Sequence, residues 1–162
     1  MPSINRRSLL ASVGTVAAAG LAGCGLRGNV GPPAGSLQFV NEHAVPHAIS
    51  MRVVGVGAEP GHGPDEVEGD VLVPPSQRTL TASTTVQPGE TQTYESVFTE
   101  DAWYGVEFTL DGIRPADNAG QVKFNPAPTG GETGSVLVGK VYASGEFSWV
   151  VSATEDPGSF DA

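Results

Sequence analysis

The residues of this chain best able to bind a metal are its three histidines. His43 and His47 flank Pro46 in a predicted loop, and His62 lies in the next loop. Imidazole nitrogens are common ligands of Zn²⁺ and Cu²⁺, so histidines on adjacent loops could converge on such an ion. Three separate, exposed histidines are the alternative, because residues four apart on a turn need not share a face. The spacing therefore supports a metal site only as a secondary hypothesis.

Carboxylates crowd a second segment, where Asp65, Glu66, Glu68 and Asp70 fall within six positions. Oxygen ligands at this density could bind Ca²⁺ or Mg²⁺. Their order does not match an EF-hand loop, however. We favour a solvated acidic loop over an ion site.

Two aromatic residues follow an acidic pair, because Trp103 and Tyr104 come after Glu100 and Asp101. Such a group could form a sugar-binding edge, with the aromatic rings stacked on the ligand. More often the aromatic residues begin a strand and pack in a core, which is the interpretation we favour.

Signatures of an enzyme are missing from the sequence. There is no Gly-x-Ser-x-Gly nucleophile motif and no P-loop. A carboxylate enzyme would need Glu107 or Glu95 in a cleft and with a raised pKa. We therefore predict no catalytic residue and a protein that is not an enzyme.

The only cysteine, Cys24, follows Leu21, Ala22 and Gly23 at the end of an apolar run. This order resembles the lipobox of lipoproteins, in which a branched apolar residue and two small residues precede the modified cysteine. The resemblance implies a covalent lipid on Cys24, and we expect no other cofactor. Because one acyl chain binds a membrane only marginally, stable anchoring implies two or more chains.

Residues 1–23 resemble a twin-arginine export signal. Arg6 and Arg7 form the positive segment, and the uncharged run over residues 9–22 is too short for a comfortable bilayer span. Leu9 and Ala11 stand where the family more often has Phe and Lys. The resemblance implies export of folded cargo and a lipid-anchored protein on the extracellular face of the cell membrane.

The charge of the chain is strongly acidic, with a formal net charge of −10. All 18 acidic residues lie after Cys24, whereas two of the eight basic residues precede it. A dense carboxylate surface with little lysine resembles the proteins of salt-loving archaea, in which molar salt screens the repulsion. We expect no nucleic-acid partner, because phosphate contacts need a cationic surface.

Composition divides the rest of the chain into three parts. Residues 24–35 are rich in Gly and Pro and predict a flexible tether. Residues 36–155 form one predicted domain, and residues 156–162 a disordered acidic tail. No internal repeat is present.

Hydrophobic alternation with period two predicts about nine strands in the domain. Tyr104, Val106, Phe108 and Leu110 are the clearest case, with Glu107 pointing outwards. A second alternation, through Val151 and Ala153, ends the set. The predicted strands lie near 36–40, 47–56, 68–73, 78–86, 91–98, 102–110, 121–125, 135–143 and 146–153.

Turn residues separate these strands. Gly89 after Pro88 suits a type II turn, and Asp111-Gly112 and Ser144-Gly145 are hairpin signals. Many short strands with regular turns predict an all-β fold, a two-sheet β-sandwich, with a closed barrel as the alternative.

The stretch from Val86 to Leu110 resembles the immunoglobulin-like or cupredoxin-like domains of archaeal surface proteins. A cupredoxin-like fold would lack the blue-copper site, because that site needs a cysteine thiolate and Cys24 precedes the domain. We expect a non-enzymatic binding or cell-envelope role for a surface lipoprotein, with an unidentified protein or small-ligand partner. A metal-handling lipoprotein that uses the three loop histidines is the alternative.

Overall fold

The computed structural model describes residues 31–127 and 133–160, which form a β-sandwich of two four-stranded sheets. The predicted two-sheet sandwich is therefore confirmed. The elements, in chain order, are β1 (Leu37–Asn41), β2 (His47–Gly57), β3 (Glu59–Pro60), β4 (Val67–Glu68), α1 (Pro75–Arg78), β5 (Thr81–Val86), β6 (Thr91–Tyr94), β7 (Trp103–Leu110), β8 (Gln121–Phe124), β9 (Gly134–Val141) and β10 (Phe147–Thr154). In these two ranges no helix has the length and apolar character needed to cross a bilayer.

Sheet A has the strand order β10-β9-β1-β6. Its central pair is parallel, with Leu37 of β1 opposite Leu137 of β9. The outer pairs are antiparallel, and β9 and β10 form a hairpin over their full length. The turn of this hairpin contains Gly145 at φ 86°, as the Ser144-Gly145 signal predicts. The first strand of the domain is thus held between β6 and β9, two strands that both come much later in the chain.

Sheet B has the strand order β5-β2-β7-β8, and every pair in it is antiparallel. Its longest strand, β2, shifts register between Val53 and Gly55, where the ladder has a bulge or irregularity. The Asp111-Gly112 turn after β7 has positive φ at both residues, 52° and 78°. Positive φ at two successive residues is the type I′ geometry that suits Asp-Gly in hairpins.

The core lies between the sheets, and its largest fully buried side chains are aromatic. Phe98 contacts Tyr104 and Phe124 with ring centroids 5.0 and 4.8 Å apart. Phe108 of sheet B meets Phe147 of sheet A at 5.4 Å. Because each buried aromatic side chain removes a large apolar area from water, these contacts stabilise the core, and the Phe108–Phe147 contact joins the two sheets.

Some details of the strand prediction are wrong. The predicted strand over 68–73 overlaps β4 only at Glu68, and β6 ends at Tyr94 instead of reaching residue 98. Ser96 has φ 54°, a left-handed conformation that cannot continue a strand. On β10, Val151 and Ala153 are exposed, because the core covers only the first part of that strand.

Both ends of the described domain extend beyond the predicted boundaries. Ala34 and Gly35, from the predicted tether, are buried. Gly35 has φ 79°, and a Cβ there would overlap the carbonyl oxygen of Phe98. In the predicted tail, the Asp156 carbonyl accepts a hydrogen bond from the Ala34 amide at 2.9 Å, and the Phe160 ring lies beside Gly35. Residues 31–35 and 156–160 therefore pack against the sandwich and against each other.

Candidate functional site

Three segments meet at one end of the sandwich, and the strand directions explain why. The parallel strands β1 and β9 both end there, so the loops 42–46 and 142–146 are neighbours. β2 begins at this end and its antiparallel partner β7 finishes there, which adds the segment 111–120. We call this end the distal pole.

The opposite end, the proximal pole, is where the chain enters and leaves the sandwich. Residues 31–36 lead into β1 there, and residues 155–160 follow β10. β9 has eight residues, so the two poles are separated by about 25 Å of extended strand.

A groove of about 730 Å³ opens at the distal pole. One wall is the 111–119 segment and the other is the end of the β9–β10 hairpin with Tyr142. This volume lies within the range of small-molecule sites. The apolar lining residues include Leu110, Ile113, Pro115, Ala116, Ala119 and Phe147, and the charged ones are Asp111, Arg114, Asp117 and Glu146.

The first wall begins with the tight turn at Asp111 and Gly112. The Leu110 amide donates to the Ile113 carbonyl and the Ile113 amide to the Leu110 carbonyl, both at 2.9 Å. Directly after this turn the chain leaves the ladder, and the side chain of Ile113 is 72 % exposed beside the groove. A branched apolar side chain in this position is available to a ligand.

Glu107 holds the first wall in place through its ion pair with Arg114. Its side chain is only 5 % exposed and forms ion pairs with both Arg52 and Arg114. Burial raises the pKa of Glu107, but the hydrogen bonds from Arg52 and Arg114 outweigh burial and leave the pKa below its ordinary value. Glu107 points away from the core, as the alternation predicts, but two guanidinium groups cover its carboxylate on the outer face of the sheet.

The lowered pKa also bears on the carboxylate-enzyme alternative. That alternative requires Glu107 or Glu95 with a raised pKa in a cleft, and Glu107 has the opposite shift. Neither residue lines the groove.

The second wall carries Tyr142, which is 37 % exposed. The ammonium group of Lys140 lies 4.7 Å from the centroid of its ring, in a cation–π contact. The same ammonium group is 2.7 Å from the Glu42 carboxylate. Lys140 is thus already paired, and it fixes the ring at the edge of the groove.

Two of the three candidate metal ligands lie at this pole and contact each other. His43 Nδ1 and His47 Nε2 are 2.7 Å apart, and the two rings are stacked. His47 Nδ1 is 2.7 Å from the Asp111 carboxylate, which also accepts the Ala48 amide at 2.8 Å. A carboxylate only accepts, so His47 donates to Asp111, and in the neutral pair His43 donates to His47.

His62 does not join this pair. It lies beyond the far end of the eleven-residue strand β2, is 98 % exposed, and is 3.3 Å from Glu68. Across the residues that the structure describes, no three His, Cys, Asp or Glu side chains are grouped as metal ligands. The structure thus brings together His43 and His47, but not the predicted set of three.

The carboxylates of the acidic segment have separate partners. Asp65 accepts a hydrogen bond from Gln121 at 2.8 Å, and Glu66 accepts the Gly63 amide at 2.8 Å. The segment lies across the outer face of sheet B, where a Cβ on Gly105 would overlap the carbonyl oxygen of Asp65. Asp65 thus links the loop to sheet B and Glu66 bonds within the loop, and these carboxylates do not group as metal ligands among the described residues.

The proposed sugar-binding edge is not available, because Tyr104 is fully buried in the core. Its hydroxyl donates to the Gln77 amide oxygen at 2.8 Å. Burial, the largest cause, raises the pKa of Tyr104 to about 12. The favoured prediction, that this tyrosine packs in the core, is confirmed.

The predicted lipidation and export residues, Arg6, Arg7 and residues 21–24, lie outside the described residues. Comparisons of the chain with protein-family models, with curated proteins and with solved structures gave no match. The structure itself defines the protein as a two-sheet β-sandwich with a groove at the distal pole.

Sequence reasoning missed the groove. Its walls come from segments about 30 residues apart in the chain, and no local pattern joins them. One signal was present, because Ile113 follows a tight turn at a position where small or polar residues are usual.

Proposed function

We propose that this chain is a lipid-anchored surface protein that displays a ligand groove away from the membrane. The observation that carries the proposal is the position of the groove at the distal pole, whereas Cys24 precedes residue 31 at the proximal pole. An acyl group on Cys24 would therefore hold the end of the sandwich opposite the groove.

The leader supports the same proposal. Arg6 and Arg7 would direct export by the twin-arginine route, and the lipobox over residues 21–24 would supply the lipid. The acidic surface suits a high-salt exterior such as that of salt-loving archaea. An immunoglobulin-like or cupredoxin-like surface domain would contain a two-sheet sandwich of this kind. The role is non-enzymatic binding, with the groove as the binding site.

The proposal is tested by thiol labelling of intact cells with a membrane-impermeant maleimide. The wild type contains only Cys24, so it reacts only if that thiol is free. An Ala143→Cys variant adds an exposed thiol at the distal pole. We expect labelling of the variant and none of the wild type. Labelling of the wild type, or labelling of the variant only after lysis, contradicts the proposal.

The anchor itself is tested with Cys24→Ser. The variant should appear in the medium or remain as uncleaved precursor, while the wild type stays with the membrane fraction. Arg6→Lys combined with Arg7→Lys should leave folded precursor inside the cell. Unchanged membrane retention of Cys24→Ser with a mature N-terminus would contradict lipidation.

The contact between His43 and His47 beside Asp111 favours metal handling as a second candidate function. Binding would require the hydrogen bonds between these groups to break, because both nitrogens of His47 are occupied. Titration with Cu²⁺ and Zn²⁺ tests it, with His43→Ala/His47→Ala compared with His62→Ala. Loss of binding in the first variant alone supports a metal site at the distal pole, and equal weak binding in all forms rejects it.

A further inference from the structure

We infer that the distal groove binds a ligand with an apolar body and a positively charged group, such as an organic amine. This inference rests on the proposed binding role and assigns the chemical class of the ligand. The apolar body is inferred from the groove walls, and the positive charge is inferred from the carboxylates at the rim of the groove, Asp117 and Glu146.

The apolar part follows from exposed side chains on both walls. Ile113 is 72 % exposed and Tyr142 is 37 % exposed, although each lies beside buried residues of the core. A ligand placed between these two side chains would remove apolar surface of both from water, which is favourable. A ligand with a narrow hydrocarbon or aromatic body fits such a groove.

The charge of the ligand follows from two carboxylates on opposite walls. Asp117 belongs to the 111–119 segment and Glu146 to the β9–β10 hairpin, and both are exposed. Within the described part of the chain neither forms an ion pair, and the contact of Glu146 is with the Ser144 hydroxyl at 3.1 Å. An ammonium group between the walls would meet negative charge from both sides.

The cationic residue of the groove, Arg114, does not favour an anionic ligand. Its guanidinium group is bound to Glu107, whose side chain is 5 % exposed. An anion that drew Arg114 away would leave that buried carboxylate with one guanidinium instead of two, which is unfavourable. Lys140 is likewise paired with Glu42. Arg114 and Lys140 are therefore each paired with a carboxylate, whereas the rim carboxylates Asp117 and Glu146 form no ion pair among the described residues.

Three probes with one apolar body test the inference: 4-phenylbutylamine, 4-phenylbutanol and 4-phenylbutyrate. The full mature chain is placed in lipid nanodiscs and labelled on isoleucine methyl groups. Ile113 reports on the groove, and Ile49, which is fully buried in the core, is the internal control. We expect the amine to shift the Ile113 signal and to bind roughly tenfold more tightly than the alcohol, with the acid weakest.

A matched pair of variants separates local charge from net charge. Asp117→Asn/Glu146→Gln removes the two rim carboxylates, and Glu59→Gln/Glu95→Gln removes two exposed carboxylates elsewhere. The preference for the amine should fall to about twofold or less in the first variant and persist in the second. A similar loss in both variants, or equal binding of all three probes, overturns the assignment of a cationic ligand but leaves the groove as a binding site.

No shift of Ile113 with any probe overturns the ligand class altogether. That result differs from a failure of the proposed surface role, because thiol labelling of intact cells tests display without any ligand.

Discussion

His47 donates a hydrogen bond to the carboxylate of Asp111 at 2.7 Å, although the two residues are 64 positions apart. This contact joins the start of β2 to the segment that forms one wall of the groove. The hydrogen bond from His47, followed by the one from the Ala48 amide, holds the pKa of Asp111 below its ordinary value. The contact therefore makes stability depend on pH.

The sign of this dependence can be tested with Asp111→Asn. A lowered folded-state pKa contributes stability above the unfolded-state value, about 3.9, and that contribution is lost as the pH falls through the folded-state pKa. The variant should be less stable than the wild type at pH 6, and the difference should shrink towards pH 3. Urea unfolding at both values measures it, with the exposed Asp101→Asn as control. A difference that does not change with pH contradicts this role for Asp111.

Glu107→Gln should destabilise the fold and loosen the groove wall. The substitution weakens charge-assisted hydrogen bonds to Arg52 and Arg114 at a buried position, so we expect a loss of about 2 kcal/mol. Denaturant unfolding measures the loss, and the Ile113 methyl signal reports movement of the wall. Glu95→Gln, at an exposed position, should change neither. Stability equal to that of the wild type would show that the negative charge of Glu107 is not needed to hold Arg52 and Arg114 in place.

Tyr104 should titrate only in strong alkali. Its pKa is raised to about 12, so the contribution of Tyr104 to stability is full below the unfolded-state value of about 10 and is lost as the pH rises through 12. Absorbance at the phenolate band after a rapid pH jump should show a step near pH 12 that Tyr104→Phe lacks. The variant should also lose about 1 kcal/mol at neutral pH, because Gln77 loses one donor. A step of the same size in both proteins would contradict the assignment.

Gly105→Ala should displace the acidic segment from sheet B. The new methyl group would overlap the Asp65 carbonyl oxygen, and backbone cannot move as readily as the end of a side chain. We expect a loss of roughly 1–3 kcal/mol in denaturant unfolding. Gly55→Ala is the matched control, since its nearest neighbour is a methyl group of Val67 at 3.0 Å, which can shift more easily. Equal effects of the two substitutions would show that the segment adapts.

The sequence predicts the strands well where apolar and polar residues alternate. β7 follows from the alternation around Val106 and Phe108, and the turn at Asp111-Gly112 follows from residues that tolerate positive φ. Strand ends are predicted less well, as Ser96 shows, because a single left-handed residue ends the ladder without interrupting the apolar pattern.

The site is harder to predict than the strands because it depends on residues far apart in the chain. Alternation places Glu107 on the outer face of its sheet correctly, but it cannot show that Arg52 and Arg114 cover that carboxylate. Likewise, loop histidines suggest convergence, but only the length of β2 shows that His62 lies at the other pole from His43. The groove arises from sheet order, which one sequence does not reveal.

The parallel pairing of β1 with β9 has a consequence for biosynthesis. Residue 37 meets its partner at residue 137, and β10 adds residues as late as 154 to the same sheet. Strand β1 therefore leaves the ribosome long before its parallel partner β9, and sheet A cannot be complete until residue 154 has also emerged. Folding is expected to be slow, as in other folds whose contacts span long stretches of sequence.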